Sequence, residues 1–305
     1  MTELVVISGK GGTGKTSIVA CFAALYKDKV LADCDVDAAN LHLVIDASVR
    51  HRETFTGGKK AVILADLCTG CGECERACRF DAVMANAHNG NLDVFRIDPI
   101  ACEGCGVCML VCPADAIEFN DAVNGEWFVS ETRDGPMVHA KLGIAESNSG
   151  KLVSLVRNQA RIMAEERDLK LILIDGPPGI GCPVIASITG TDLVLVVTEP
   201  TLSGLHDLER VRQLSNHFQI KTVACINKCD LNPNMSSQIE QHCRENGIEV
   251  VGRIPYDNAV TGAQIQGISV VEYCDTPVSR EIRHMWERVS RILALNAIAP
   301  HQRSP

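Results

Sequence analysis

Two groups of residues in this chain are spaced for chemistry, and they suit different ligands. The first is Gly9-Lys10-Gly11-Gly12-Thr13-Gly14-Lys15-Thr16-Ser17, of the form G-x4-G-K-T. It lies between the β-branched run Leu4–Ile7 and an apolar helical stretch from Ser17 to Tyr26. In such a loop the glycines let successive backbone N–H groups curl around phosphate oxygens, and the following helix adds its positive end. Lys15 would neutralise β and γ phosphates, and Thr16 would ligate Mg²⁺. The second group is a pair of cysteine runs. Cys68, Cys71, Cys74 and Cys78 have the spacing C-x2-C-x2-C-x3-C, and Cys102, Cys105, Cys108 and Cys112 repeat it. Such clusters are metal ligands in a reducing compartment, and Gly70, Gly72, Gly104 and Gly106 give the backbone room to turn around a bound group.

The rest of the chain must position these residues. Its 305 residues, 46% of them hydrophobic, suit one large α/β domain or two domains with an ample core. No basic, apolar leader opens the chain and no apolar run reaches the roughly 20 residues that span a bilayer, so a cytoplasmic protein is expected. The formal charge of −9 argues against direct nucleic-acid binding. Between Lys60 and Gly125 ten Asp or Glu stand against four Lys or Arg, so the acid concentrates around the cysteines and suits a basic partner surface. Outside that segment, Val30–Ala32, Leu171–Ile174, Leu193–Val197 and Thr222–Ile226 read as buried strands, each running into a polar loop. Helical patterns at 151–166, 203–217 and 236–246 alternate with them. The class this predicts is α/β, a doubly wound parallel sheet with its ligand loops at the C-terminal edge of the strands.

With a second lysine at Lys10, the loop resembles the deviant phosphate loop of the MinD/ParA/Mrp class of P-loop ATPases, which includes the nitrogenase iron protein. The stretch "ADCDVDAANLHL" (32–43) is similar to that class's switch I, and "LILIDGPPGIG" (171–181) to its switch II. The resemblance covers roughly Thr2–Ile45 and Val138–Leu295. It implies ATP and Mg²⁺ as ligands and an ATP-dependent homodimer in which Lys10 reaches across to the second subunit's nucleotide. It also implies that Asp35 positions the attacking water and that Asp175 holds Mg²⁺ through water. Asn227 takes the place of an adenine-contacting asparagine, with Pro255 and Asn258 lining the base.

The cysteine runs resemble those of two-cluster bacterial ferredoxins, over about Ala61–Asn120. That resemblance implies two [4Fe–4S] clusters with crossed ligation: Cys68, Cys71, Cys74 and Cys112 on one, and Cys102, Cys105, Cys108 and Cys78 on the other. "DAVMA" and "DAIEF" after the runs mark two halves of an internal repeat. Pro113 follows Cys112 as in that family, but Arg79 follows Cys78, which places a positive charge near the second cluster. Zinc is the rival occupant, since C-x2-C pairs bind it too, and two matching runs favour iron–sulfur. The organisation expected is 1–58 and 125–298 as two parts of an ATPase core, 59–124 as an inserted ferredoxin domain and 299–305 as a polar tail. The stretch His139–Val153 also matches the branch of MinD-class ATPases that carries such an insert.

Together these resemblances imply an ATPase whose dimer switching gates electron transfer from the clusters to a redox or iron–sulfur partner protein. A cluster or metallocofactor assembly or carrier ATPase is the alternative, and a redox-sensing, MinD/ParA-like organiser a further one. Cys182 stands where the nitrogenase iron protein has a cysteine ligating a cluster shared between subunits, but a small buried thiol is the simpler expectation. The amphipathic stretch Ser279–Leu295 is similar to MinD's membrane anchor. A last helix packed on the sheet explains it as well, and no membrane partner is expected.

Overall fold

In the computed structural model, which describes residues 1–86, 94–143 and 149–295, the chain divides into two compact units. The first comprises residues 1–53, 127–141 and 149 onward; the second comprises 54–126 and the short segment from 142. The expected polar tail 299–305 and the middle of the His139–Val153 stretch lie outside the described residues.

The first unit starts with β1 (Thr2–Ser8), α1 (Lys15–Leu25), β2 (Lys29–Asp33) and α2 (Leu41–Val44). Strand β3 (Ser48–Ile63) then carries the chain into the second unit. There the elements are α3 (Glu73–Ala77), the antiparallel pair β4 (Val83–Asn86) and β5 (Val94–Ile97), and α4 (Val107–Leu110). Strand β6 (Ile117–Thr132) returns the chain, and Arg133 and Asp134 turn it into β7 (Gly135–Leu142). The remainder alternates as α5 (Ser149–Glu166), β8 (Leu171–Pro178), α6 (Cys182–Ile188), β9 (Leu193–Thr198), α7 (Leu202–His217), β10 (Lys221–Asn227), α8 (Pro233–Glu245) and β11 (Glu249–Ile254). Helices α9 (Ala259–Ile265), α10 (Val270–Tyr273) and α11 (Pro277–Ile292) close it.

The strand order is β11-β10-β9-β1-β8-β2-β7-β6-β3, and the pairs from β11 through to β7 are parallel. Strands β1, β8 and β9 are buried almost throughout, which explains their unbroken apolar runs. Helix α11 packs on this core: Trp286 lies against Phe22 and Tyr26, with ring centroids 4.9 and 5.7 Å away. Among the described residues no helix is long and apolar enough to cross a membrane. In the second unit a small core of Ala61, Cys74, Val83, Phe95 and Ile117 is flanked by five more cysteines of the two runs.

Candidate functional site

Strand β1 delivers the glycine loop to the edge of the sheet, and α1 begins at Lys15. Gly14 has φ 93°, and a Cβ there would stand 2.5 Å from Asn227 Nδ2, so the loop's path demands glycine at that point. Behind the loop a buried charge centre is assembled. The parallel register of β2 and β8 sets Asp33 opposite Asp175, both at 1% exposure or less. Lys15 Nζ lies 3.8 Å from Asp35 Oδ2. Burial pushes the Asp33 carboxyl well above its ordinary range, and Asp175 beside it adds to the effect. Burial likewise lifts Asp175 to about 6, against the pull of Lys15. Both Asp175 oxygens, and Thr13 Oγ1, are buried without a hydrogen-bond partner. Asp33 accepts from the Asp35 and Leu41 N–H groups at 3.1 and 3.2 Å, while Asp35 and Asp175 share the single Lys15; the two buried, unpartnered oxygens of Asp175 are what a divalent cation fits.

Two residues assigned to nucleotide contact are engaged by the protein itself. Asn227 donates from Nδ2 to the Thr13 carbonyl at 2.7 Å and accepts at Oδ1 from the Lys228 N–H at 3.0 Å, so its amide clamps the loop. Lys10 Nζ lies 3.2 Å from Glu199 Oε2, and Lys228 pairs with the other oxygen of Glu199. Beside the loop a cleft of about 220 Å³ is lined by Ser17, Ile18, Asn227, Pro255, Tyr256 and Gln264, among others. Asn258 is not part of this lining: it sits at the N-cap position of α9, where its Oδ1 accepts from the Tyr256 hydroxyl at 3.2 Å. Glu199 and Gln264, which donates to Ser17 Oγ at 2.9 Å, escaped the sequence reading. The only signal for Glu199 was an acid at the end of a buried strand, and Gln264 had none.

In the second unit the eight cysteines of the two runs divide between two cavities. Cys68, Cys71, Cys74 and Cys112 line one, with Ile63, Phe95 and Ile117 as apolar wall. Cys78, Cys102, Cys105 and Cys108 line another, with Phe80, Ile97 and Phe119. Each run thus contributes three thiols to one cavity and its fourth to the other. The backbone repeats as well. Gly70, Gly72 and Asp81 have positive φ of 72°, 74° and 51°, and their equivalents Gly104, Gly106 and Asp115 have 66°, 77° and 47°. The halves exchange hydrogen bonds symmetrically, Leu64 N–H to the Ala116 carbonyl and Asp98 N–H to the Ala82 carbonyl. A Cβ at Gly104 would lie 2.2 Å from the Lys59 carbonyl oxygen, so glycine is needed there. Among the described residues no three His, Cys, Asp or Glu side chains converge tightly enough to hold a metal ion; the thiols ring the cavities instead.

Cys182 is exposed at the first position of α6, contrary to the buried thiol expected; the buried face of that helix is carried by Val184, Ser187 and Ile188. His139, which the sequence left without a role, is buried with Nε2 2.9 Å from Ser130 Oγ and is stacked between His42 and Phe128.

A glycine loop between a buried strand and a helix, with a buried lysine and a buried, unpartnered carboxyl at the C-terminal edge of a parallel sheet, defines a P-loop nucleotide-binding protein. The family model for the CobQ/CobB/MinD/ParA nucleotide-binding domain matches residues 4–270, and the chain belongs to that family. It is 33% identical over 301 residues to an uncharacterized protein of Methanocaldococcus jannaschii, covering 95% of this chain and 97% of that one. It is 24% identical to the carbon monoxide dehydrogenase accessory protein CooC of Rhodospirillum rubrum, covering 92% and 93%. An iron–sulfur cluster carrier protein of Pyrococcus furiosus is 25% identical over only 40% of this chain and 45% of its own. Among solved structures, septum site-determining MinD with Mg-ADP from Pyrococcus horikoshii superposes with a TM-score of 0.57 at 16% identity, over 96% and 97% of the two chains.

Proposed function

We propose that this chain is an ATP-hydrolysing protein, dimeric when ATP is bound, whose switching gates electron transfer through two [4Fe–4S] clusters in its cysteine-rich unit. The observation that carries this reading is the division of the eight thiols: two cavities, four cysteines each, in the crossed pattern a two-cluster ferredoxin uses. The residues fit such groups in number, in softness and in their apolar walls. When bound, the clusters supply one-electron transfer at low potential.

The ATPase half of the proposal rests on the charge centre. Lys15 leaves Asp35 for the β and γ phosphates, which frees Asp35 to orient the attacking water. Thr16 directly and Asp175 through water would hold Mg²⁺, and the ion would neutralise phosphate charge; the unpartnered Asp175 oxygens support this. Lys10 releases Glu199 and neutralises phosphate charge across the dimer. Pro255 and its neighbours in the cleft hold the base, while Asn227 keeps the loop in shape. Strands β3 and β6 run from one unit into the other, so a movement that begins after switch I has a continuous path along the backbone.

Protein prepared anaerobically should contain about eight iron and eight acid-labile sulfide per chain. The midpoint potential should then differ between ADP and a trapped ATP state. Zinc without sulfide would end the cluster assignment, and an unchanged potential in a dimer that demonstrably closes would end the gating. A cluster carrier or metallocofactor-assembly ATPase is the second reading, favoured by the names of the Pyrococcus and Rhodospirillum relatives and by one exposed thiol in each run, Cys71 and Cys105. It predicts ATP-dependent loss of the chain's own iron to an apo-acceptor.

A further inference from the structure

The two cysteine runs fold alike but present different surfaces. At equivalent places on the two short helices, Glu73, Glu75, Arg76 and Ala77 of the first run become Val107, Met109, Leu110 and Val111 of the second. All four apolar residues are exposed, Leu110 at 80% and Met109 at 42%. In the first run the same positions are what a solvated turn should be, with Arg76 paired to Glu73 and donating to the Cys71 carbonyl. The turn therefore does not require apolar residues; the chain itself folds it with charges. Four exposed apolar side chains on five residues are unfavourable in water without a partner to cover them.

Their place narrows the choice of partner. Helix α4 follows the exposed Cys105 and carries Cys108, and both of these thiols line the second cavity, so the exposed turn lies next to it in the chain. Exposed Glu103 precedes it and exposed Asp115 follows, within a segment where ten acids outweigh four bases. An apolar centre with an acidic surround is the complement of an apolar pocket ringed by lysine or arginine.

We propose that the α4 turn, Val107 to Val111, is the docking face for an electron-accepting protein whose redox centre lies in an apolar pocket rimmed by basic side chains. This rests on the electron-transfer reading above. A reduced [4Fe–4S] cluster held by Cys78, Cys102, Cys105 and Cys108 would give up one electron through this face, being oxidised by one electron as the acceptor is reduced by one.

The test uses dithionite-reduced full-length protein with two oxidants. One is ferricytochrome c, a lysine-rich protein whose haem iron goes from Fe(III) to Fe(II); the other is hexaammineruthenium(III), a small cation with no pocket. Met109→Gln with Leu110→Gln leaves the charge unchanged and should slow cytochrome c reduction about tenfold while leaving ruthenium reduction as it was. A second variant, Val107→Glu with Met109→Glu and Leu110→Arg, installs the residues the first run already tolerates and guards against misfolding; it should lose the same preference. Equal cytochrome c rates with intact ruthenium reduction would overturn the docking face. Reduction of neither oxidant by the wild type would instead overturn the electron-transfer reading beneath it. A nucleotide-free wild type that sediments as a dimer, beside a monomeric variant, would show that a second copy covers this turn and would also overturn the proposal.

Discussion

The glycine-loop unit and the cysteine-rich unit hold their ligand positions by opposite means. In the first, β1, β8 and β9 are sealed in the sheet, and Lys15, Asp33 and Asp175 are fixed before any ligand arrives. Internal ion pairs already occupy the charged groups: Lys15 with Asp35, and Lys10 with Glu199. In the second, the apolar cluster around the cysteines has only five buried residues among those described, and one of them, Cys74, is itself a proposed ligand. A core that small stabilises a unit of this length poorly without a bound group. Under the proposed cluster ligation, the difference implies that a ligand adds to a finished fold in one unit and completes the fold in the other.

The largest expected effect comes from that contrast. Withholding iron should leave residues 54–126 with little hydrogen-exchange protection, while the amides of β1, β8 and β9 stay protected. Strong protection in both units without iron would break the comparison. Within the second unit, Cys112→Ser should spare the cavity of Cys78, Cys102, Cys105 and Cys108, so about half the iron should remain. Loss confined to that second cavity would refute the crossed pattern.

Next in size is Lys15→Ala. Removing a buried cation from the phosphate position should cost about 3 kcal/mol of nucleotide binding, more than a hundredfold in affinity. The visible absorption of the cysteine-rich unit should be unchanged in that variant. If it vanished, the two units would not hold their ligands independently.

A smaller effect tests how self-sufficient the sheet unit is. Burial, with His42 as a lesser cause, depresses His139 to about 4. Its unfolded value is near 6.5, so acid charges the unfolded chain first. Stability from this group is therefore complete above pH 6.5 and is lost as pH falls towards 4, by about 2 kcal/mol at pH 5. Asp33 and Asp175, whose carboxyls burial raises, gain stability as pH falls over the same window, so the test is the difference between the two proteins: His139→Phe should lose less stability, or gain more, than the wild type between pH 7 and 5. His42, which burial also depresses, acts in both proteins alike. Superimposable pH profiles for the two would contradict this.

Legibility in the sequence divides along the same physics. Strands β1, β8, β9 and β10 were legible because burial on both faces writes itself as unbroken apolar runs. Strand β3 was not, since Ser48 to Thr54 are all exposed and Gly57 and Gly58 interrupt its second half. The cysteine cavities were legible because ligand spacing is a local constraint. The roles of Asn227 and Asn258 were not legible, because a loop asparagine reads the same whether it faces a base, clamps a neighbouring carbonyl or accepts from a neighbouring hydroxyl. Glu199 was invisible for a related reason: only the fold reveals that two lysines meet it.

Glu199 carries the smallest of the expected effects and the sharpest test of preassembly. It holds Lys10 on one oxygen and Lys228 on the other, and Lys228 in turn donates to the Gly12 carbonyl at 3.3 Å. Nearby lysines keep its carboxyl below the usual range despite the opposing effect of burial. Under the proposed dimer, Lys10 must leave this pair before it can reach a second nucleotide, so the pair biases the chain towards the open state. Lys10 is 41% exposed, and such a pair contributes about 1 kcal/mol at most. Glu199→Gln should therefore tighten ATP-promoted dimerisation by no more than about fivefold, read by sedimentation with a nonhydrolysable analogue. The same substitution also loosens Lys228, and a change in the loop would alter nucleotide binding in the monomer. Two controls separate these causes: Glu199→Gln should give no gain in a Lys10→Ala background, and monomer affinity for ADP should not move. If the gain persisted without Lys10, Glu199 would act through the loop, and the ion pair would not be what holds the trans-acting lysine back.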